Sequence, residues 1–212
     1  MDLNIDEIYS NILQPLGQPK YRAEQLFTWL HKGAEIDEMH TLPKALREQL
    51  KSSFTLGGVK VYKRLVSQID RTTKYLFLLE DNNIIEGVLM RYKYGNTICI
   101  SSQVGCRMGC AFCASTLGGL VRNLYPGEML GQVLAVNKAL EETESDKISN
   151  IVIMGSGEPL DNFENVVKFL QLVNHEKGLN ISMRNISLST CGLADKITEL
   201  ADMHLGITLA IS

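Results

Sequence analysis

The sequence predicts an α/β protein built on a parallel sheet, and three observations carry that expectation. From Thr97 onward strand-like and helix-like segments alternate, which implies parallel strands joined by right-handed crossovers. The segments rich in Cys, Gly and Ser each fall just after one of those strands. Before Thr97 the pattern is different, first short helices and then alternating strands.

Residues 1–58 are expected to form a helical N-terminal domain. Ile5, Ile8, Tyr9, Ile12 and Leu13 follow helical spacing behind Asn4 and Asp6, which cap or favour a first turn. A second helix is expected at 21–31, stopped by Gly33, and a third at 43–50. Phe27 and Trp29 are assigned to its core. Residues 59–96 are expected as a β-rich linker. Val59 and Val61, then Tyr75, Phe77 and Leu79, then 84–90, alternate as strands, and Tyr94-Gly95-Asn96 turns into the next one. In residues 97–212, strands are expected at 97–102, 150–154, 185–189 and 206–211, and helices at 126–142, 162–177 and 193–203. Pro126 suits a first helical position and Gly178 a C-terminal stop. In parallel α/β folds the pole after the strands is where ligands sit. The segments at 105–113, 155–159 and 189–192, together with Ser212, therefore point to one site.

Composition bounds the function classes. With 45% hydrophobic residues the chain can bury a sizeable core, and it has no apolar run long enough to span a bilayer. No targeting segment is visible, and five cysteines without a disulfide framework suit a reducing cytoplasm. A net charge of −3 argues against a generically basic nucleic-acid binder, although charge can be local. Residues 59–100 carry seven Lys/Arg against four Asp/Glu, whereas residues 101–212 carry eight against twelve. That local excess suits an RNA footprint or an ordinary solvated surface.

Cys106, Cys110 and Cys113 carry the chemistry. Three thiolates within eight residues can cap three corners of a cubane iron–sulfur cluster and leave the fourth iron open. An open coordination site marks a metal that reacts. Gly105 and Gly109, directly before two of the cysteines, give the backbone freedom to wrap. A zinc site would need a fourth ligand. Cys99 and Cys191 complete no zinc pair, and His31, His40, His175 and His204 share no ligand spacing. Cys191 reads as a small core residue.

The run Ser101-Ser102-Gln103-Val104-Gly105-Cys106-Arg107-Met108-Gly109-Cys110-Ala111-Phe112-Cys113 resembles the cluster loop of radical S-adenosylmethionine (SAM) enzymes. Cys99 seven residues before it, then Met154-Gly155-Ser156-Gly157-Glu158-Pro159-Leu160, Leu188-Ser189-Thr190-Cys191-Gly192 and the closing Leu209-Ala210-Ile211-Ser212, resemble the RlmN/Cfr-type adenine methyltransferases. Pro19-Lys20-Tyr21-Arg22-Ala23 extends the resemblance to the N-terminus.

The resemblance implies an incomplete, roughly six-stranded (β/α)6 radical SAM barrel, of which this chain carries about four strands. It implies a 4Fe–4S cluster on Cys106, Cys110 and Cys113, and SAM contacted by Gly157, Glu158, Ser189 and Ser212. Ser156 stands where family members usually have Met. It further implies methylation of adenine C2 in large-subunit ribosomal RNA and in transfer RNA through a methyl-cysteine. Glu86 would be the proton acceptor, and Cys99 the resolving thiol that ends in a disulfide. C8 methylation, or a zinc-stabilised RNA-binding module, are the rival readings. Ribosomal RNA, transfer RNA and a reducing donor such as flavodoxin or ferredoxin are the implied partners. The resemblance places the methyl-carrying cysteine beyond Ser212. The chain is thus expected to be C-terminally truncated, inactive in a full cycle, and poorly soluble or oligomeric through the exposed edge of its last strand.

Overall fold

The structure, a computed structural model, describes residues 2–54, 56–144 and 146–212. Helices α1 (Ile5–Ile8), α2 (Tyr21–Leu30) and α3 (Lys44–Ser53) come first, followed by strands β1 (Lys60–Val66), β2 (Thr73–Leu78), β3 (Ile84–Tyr92) and β4 (Gly95–Ile100). Two short strands, β5 (Gln103–Gly105) and β6 (Leu120–Asn123), bracket the cysteine run. Then come α4 (Pro126–Glu144), β7 (Ile148–Ile153), α5 (Phe163–Asn174), β8 (Ile186–Thr190), α6 (Ala194–Asp202) and β9 (Thr208–Ile211).

Local chemistry explains the helical start. Asn4 Oδ1 accepts from the Glu7 N–H at 2.9 Å, and Glu7 Oε2 accepts from the Asn4 N–H at 2.6 Å, a reciprocal cap. Past Ile8 the helix widens into a π turn over Tyr9–Leu13 that keeps Ile8 and Leu13 inward. The three helices close a core of Ile8, Leu13, Leu26, Phe27, Met39 and Leu46, and Leu172 of α5 belongs to it too. Phe27 is fully buried, while Trp29 lies at the edge and donates its indole N–H to Thr41 Oγ1 at 2.7 Å. The contact with α5 is reinforced by Phe27 packed against His175, the residue that follows α5, at 4.7 Å between ring centroids, and by Lys168 donating to Glu7 at 2.6 Å.

Seven strands form one sheet in the order β1-β2-β3-β4-β7-β8-β9. Strands β4, β7, β8 and β9 are parallel, with α4, α5 and α6 in their crossovers, and make the partial barrel. On one face Ile98, Ile100, Ile151, Ile153, Ile186 and Leu188 are buried and join Met129, Val133, Phe169 and Leu170 of α4 and α5 in the main core. Strand periodicity sends the alternate residues to the other face. There the register runs Val88–Cys99–Val152–Ser187–Thr208 across five strands. Polar and small residues on that face leave it open as the lumen side.

The structure adds to or alters the sequence reading at three points. In the 59–96 β region, β1, β2 and β3 continue the barrel sheet antiparallel from β4. The β5–β6 hairpin was not expected, because three- and four-residue strands carry too little periodicity to read. Helix α5 ends at Asn174 rather than 177, with His175 turning to an extended conformation at ψ 132°. Gly178 is therefore not a helix stop. A Cβ there would come within 2.4 Å of His31 Nδ1, so the glycine lets the helical region sit against the barrel.

Candidate active site

The cysteine run leaves β5 through two forced glycines. Gly105 has φ +73°, and a Cβ on it would lie 2.0 Å from the Gly119 carbonyl; Gly109 has φ +74°. Both conformations favour glycine. Cys106 is buried, and its N–H donates to the Gly119 carbonyl at 3.1 Å; Cys110 and Cys113 are half-buried. A polar clamp fixes the base of the loop. Gln103 Nε2 donates to Asn123 Oδ1 at 2.8 Å and to Asp161 Oδ2 at 2.9 Å, and Arg107 Nε reaches Asp161 Oδ2 at 3.0 Å. Asn162 Nδ2 donates to the carbonyls of Ser102 at 2.8 Å and Leu124 at 2.9 Å. Burial pushes the Asp161 carboxyl up, but the Arg107 and Gln103 donors outweigh it and hold it below its ordinary value.

The segment after β7 is stitched to the start of that loop. Gly155 N–H donates to the Ile100 carbonyl at 2.9 Å, Ser156 N–H to Ser101 Oγ at 2.9 Å, and the Ser156 carbonyl accepts from Ser102 at 2.9 Å. Gly157 sits at φ +101°, and a Cβ there would lie 2.4 Å from Gln103 Cβ. Glu158 is only 4% exposed. Its carboxylate accepts from Thr190 Oγ1 at 2.7 Å, the Cys191 N–H at 2.8 Å and the Leu160 N–H at 2.9 Å. Three of about four acceptor positions on a carboxylate are therefore occupied from within the fold.

A cleft of about 130 Å³ at this pole is lined by all seven residues predicted to bind cluster or SAM: Cys106, Cys110, Cys113, Gly157, Glu158, Ser189 and Ser212. The two serine hydroxyls meet at 3.2 Å across the ends of β8 and β9. Larger hollows of about 280 and 350 Å³ lie where residues 56–59 meet α4 and contain none of these residues. Among the described residues no three His, Cys, Asp or Glu converge to hold a single metal ion. A cubane asks for less convergence, because each thiolate binds its own iron. Three thiols, glycine backbone and two hydroxyls lining one cleft fit a cluster with a small polar ligand beside it.

Glu86 and Cys99 lie outside that cleft, on the lumen face. Cys99 pairs with Val88, so Glu86, two residues earlier on β3, is its diagonal neighbour on the same face. Such neighbours stand about 7–8 Å apart, within reach of one bound base. Glu86 is exposed and ion-paired to Lys74 Nζ at 2.8 Å. Burial pushes the Cys99 thiol up, partly offset by a hydrogen bond from the Met154 backbone. Met154 also lines the cleft and so links it to Cys99.

Sequence reasoning missed Lys74, Met154 and the Gln103–Arg107–Asp161 clamp. Lys74 was recoverable only from strand register, since it opposes Val88 rather than lying near Glu86 in sequence. Cys191 is corrected. It is exposed, not core, because it follows β8 at the open pole, and it lines the cleft beside Glu158 and Cys110. Burial and the adjoining Glu158 push its thiol up to about 11. All five cysteines are free thiols, and none is paired with another within the chain.

Comparison with known proteins agrees with the geometry. Residues 100–211 match the Radical SAM superfamily, and residues 1–56 match the Ribosomal RNA large subunit methyltransferase N-terminal domain. A protein of Clostridium novyi named "Probable dual-specificity RNA methyltransferase RlmN" is 51% identical over 100% of this chain and 61% of its own length. Its counterpart in Alkaliphilus oremlandii is 53% identical with the same two coverages. The crystal structure of a radical SAM methyltransferase from Sphaerobacter thermophilus superposes with a TM-score of 0.92 at 38% identity, covering 99% of this chain and 62% of that one. The chain thus spans about 61% of the length of the curated relatives it matches. Among the described residues no helix is long and apolar enough to cross a membrane.

Proposed function

Because the chain belongs to the radical SAM superfamily, we propose that it forms the cluster-binding part of an RNA methyltransferase acting on adenine C2 in large-subunit ribosomal RNA and in transfer RNA. The observation that carries this is the placing of Glu86 and Cys99 as diagonal neighbours on one open sheet face, joined through Met154 to the cysteine cleft. The relatives' names, and the match of residues 1–56, support RNA as the substrate.

Cys106, Cys110 and Cys113 would hold a 4Fe–4S cluster, with SAM beside it against Gly157, Ser189 and Ser212. Bound there, the pair would supply the one-electron chemistry that adenine C2, which is not nucleophilic, requires. Glu158 acts through its three internal hydrogen bonds, fixing the ends of β7 and β8 around the ligand. Glu86 accepts the proton from C2 once carbon is attached there. The Cys99 thiolate attacks the sulfur that carried the methyl group. A disulfide forms, the carbon–sulfur bond breaks with its electron pair on the methylene carbon, and that carbon takes up a proton to become the methyl group on C2. The resemblance assigns that sulfur to a cysteine beyond Ser212. In this reading residues 1–58 are an accessory RNA-contacting domain, residues 59–96 a β region joining it to the barrel portion at 97–212, and the electron donor is a flavodoxin- or ferredoxin-like protein.

The test is nucleoside analysis of RNA treated with a version extended to its relatives' length, under reducing, anaerobic conditions with SAM. 2-Methyladenosine is expected. 8-Methyladenosine overturns the choice of carbon, and unmodified adenosine overturns the activity.

A further inference from the structure

The lumen face does not end at Glu86 and Cys99; it runs onto β2 and β1, where its residues are half-buried or exposed, and it is basic. Lys60 opposes Leu78 and Lys63 opposes Leu76, yet residues three apart on a regular strand point to opposite faces. The register shift between Val61 and Lys63 is what brings both lysines to one side. Bulges commonly re-aim a side chain in this way. Leu76 in turn opposes Glu86, so Lys63 lies in the same cross-strand row as Glu86, two strands away. At the usual strand spacing that is about 10 Å.

Lys74 lies in the row of Val88 and Cys99 and is engaged by Glu86, the single carboxylate on β1, β2 and β3. Lys60 and Lys63 are exposed and have no acidic partner among the described residues. Between the lysines and Cys99 lie Leu76 and Val88, both half-buried, a floor on which bases can rest.

We propose that this face, from Lys60 and Lys63 to Cys99, is the track for a single-stranded RNA segment, with phosphates on the lysines and bases on the apolar floor. Backbone-tracking lysines beside flat apolar surface are the usual means of holding a single strand. The proposal rests on the RNA-modifying reading and adds to it where the strand enters. An acidic protein also complements two lysines, but continuity with the Glu86–Cys99 pair, which must meet a base, favours RNA.

The experiment is fluorescence anisotropy of a labelled single-stranded RNA containing one adenine, titrated with the chain itself at several KCl concentrations. Each phosphate contact in a single strand contributes about 0.7 to the slope of log affinity against log salt. Lys60→Gln with Lys63→Gln should therefore lower that slope by about 1.4, so that the affinity lost between about 50 and 200 mM salt shrinks about sevenfold. Lys60→Arg with Lys63→Arg should keep the wild-type slope. Lys138→Gln with Lys177→Gln, exposed on the helical side, should leave it unchanged. An unaltered slope in the Lys60/Lys63 glutamine variant, with or without weaker capture of an acidic protein, overturns the surface and leaves the functional reading standing. Absence of salt-dependent RNA binding by the wild-type chain overturns both.

Discussion

Replacing Glu158 separates a structural carboxylate from one kept free for a ligand. Thr190 and Leu160, two of its three donors' residues, are each 1% exposed, whereas Cys191 is open to the cleft. Glu158→Ala therefore strands the Thr190 hydroxyl and the Leu160 N–H without solvent, while the Cys191 N–H regains water. An unsatisfied buried donor costs about 1–3 kcal/mol, so the Ala variant, with two of them, should lose about 2–6 kcal/mol. Glu158→Gln keeps one acceptor oxygen but turns an NH₂ toward a donor, and should lose about 1–3 kcal/mol. Urea unfolding followed by circular dichroism measures both. If both variants unfold within about 0.5 kcal/mol of wild type, as a surface substitution would, the bonding derived for Glu158 is wrong. A loss of SAM affinity without loss of stability would restore the direct-contact role that the sequence suggested.

Gly157→Ala places a side chain at φ +101° and against Gln103, and should cost at least about 2 kcal/mol. Gly118→Ala, with open space around its Cβ, should stay within about 0.5 kcal/mol in the same unfolding assay. Burial first, and then the neighbouring charge of His175, push His31 down from 6.5 to about 4. The unfolded chain then takes up a proton below about pH 6.5 that the folded chain refuses, so stability should fall by about 3 kcal/mol between pH 6.5 and 4 and be flat in this term above. His31→Gln should remove that part of the pH slope; identical slopes in the two proteins would refute the assignment. Cys106→Ala should lose most of its iron and sulfide after anaerobic reconstitution, since only two thiolates remain to cap the cluster, and unchanged iron content would refute the ligand set.

The parallel strands and their helices were legible because long apolar periods fix them: α4 begins at Pro126 as its sequence indicates, and β4, β7, β8 and β9 fall within two residues of expectation. The convergence of Cys106, Gly157, Ser189 and Ser212 was legible for the same reason, since each follows a parallel strand and parallel strands end at one pole. What was hidden depends on register. The Lys74–Glu86 pair, the bulge that turns Lys60 and Lys63 to one face, and the continuity of β1, β2 and β3 with the barrel sheet arise from cross-strand pairing, which a linear pattern does not encode. Gly178 misled because a glycine after a helix suggests a cap, whereas its role is the close approach of His31 from a distant part of the chain.

Trapping the RNA on the protein tests the central claim, that Glu86 and Cys99 serve one reaction on one face. In a version extended to its relatives' length, supplied anaerobically with reductant, SAM and RNA, Cys99→Ala should accumulate a covalent RNA–protein complex on a denaturing gel, because the adduct has lost its resolving thiol. Glu86→Gln should accumulate it as well, because the C2 proton has lost its acceptor. Multiple turnover by both variants, with no trapped complex, would contradict the account.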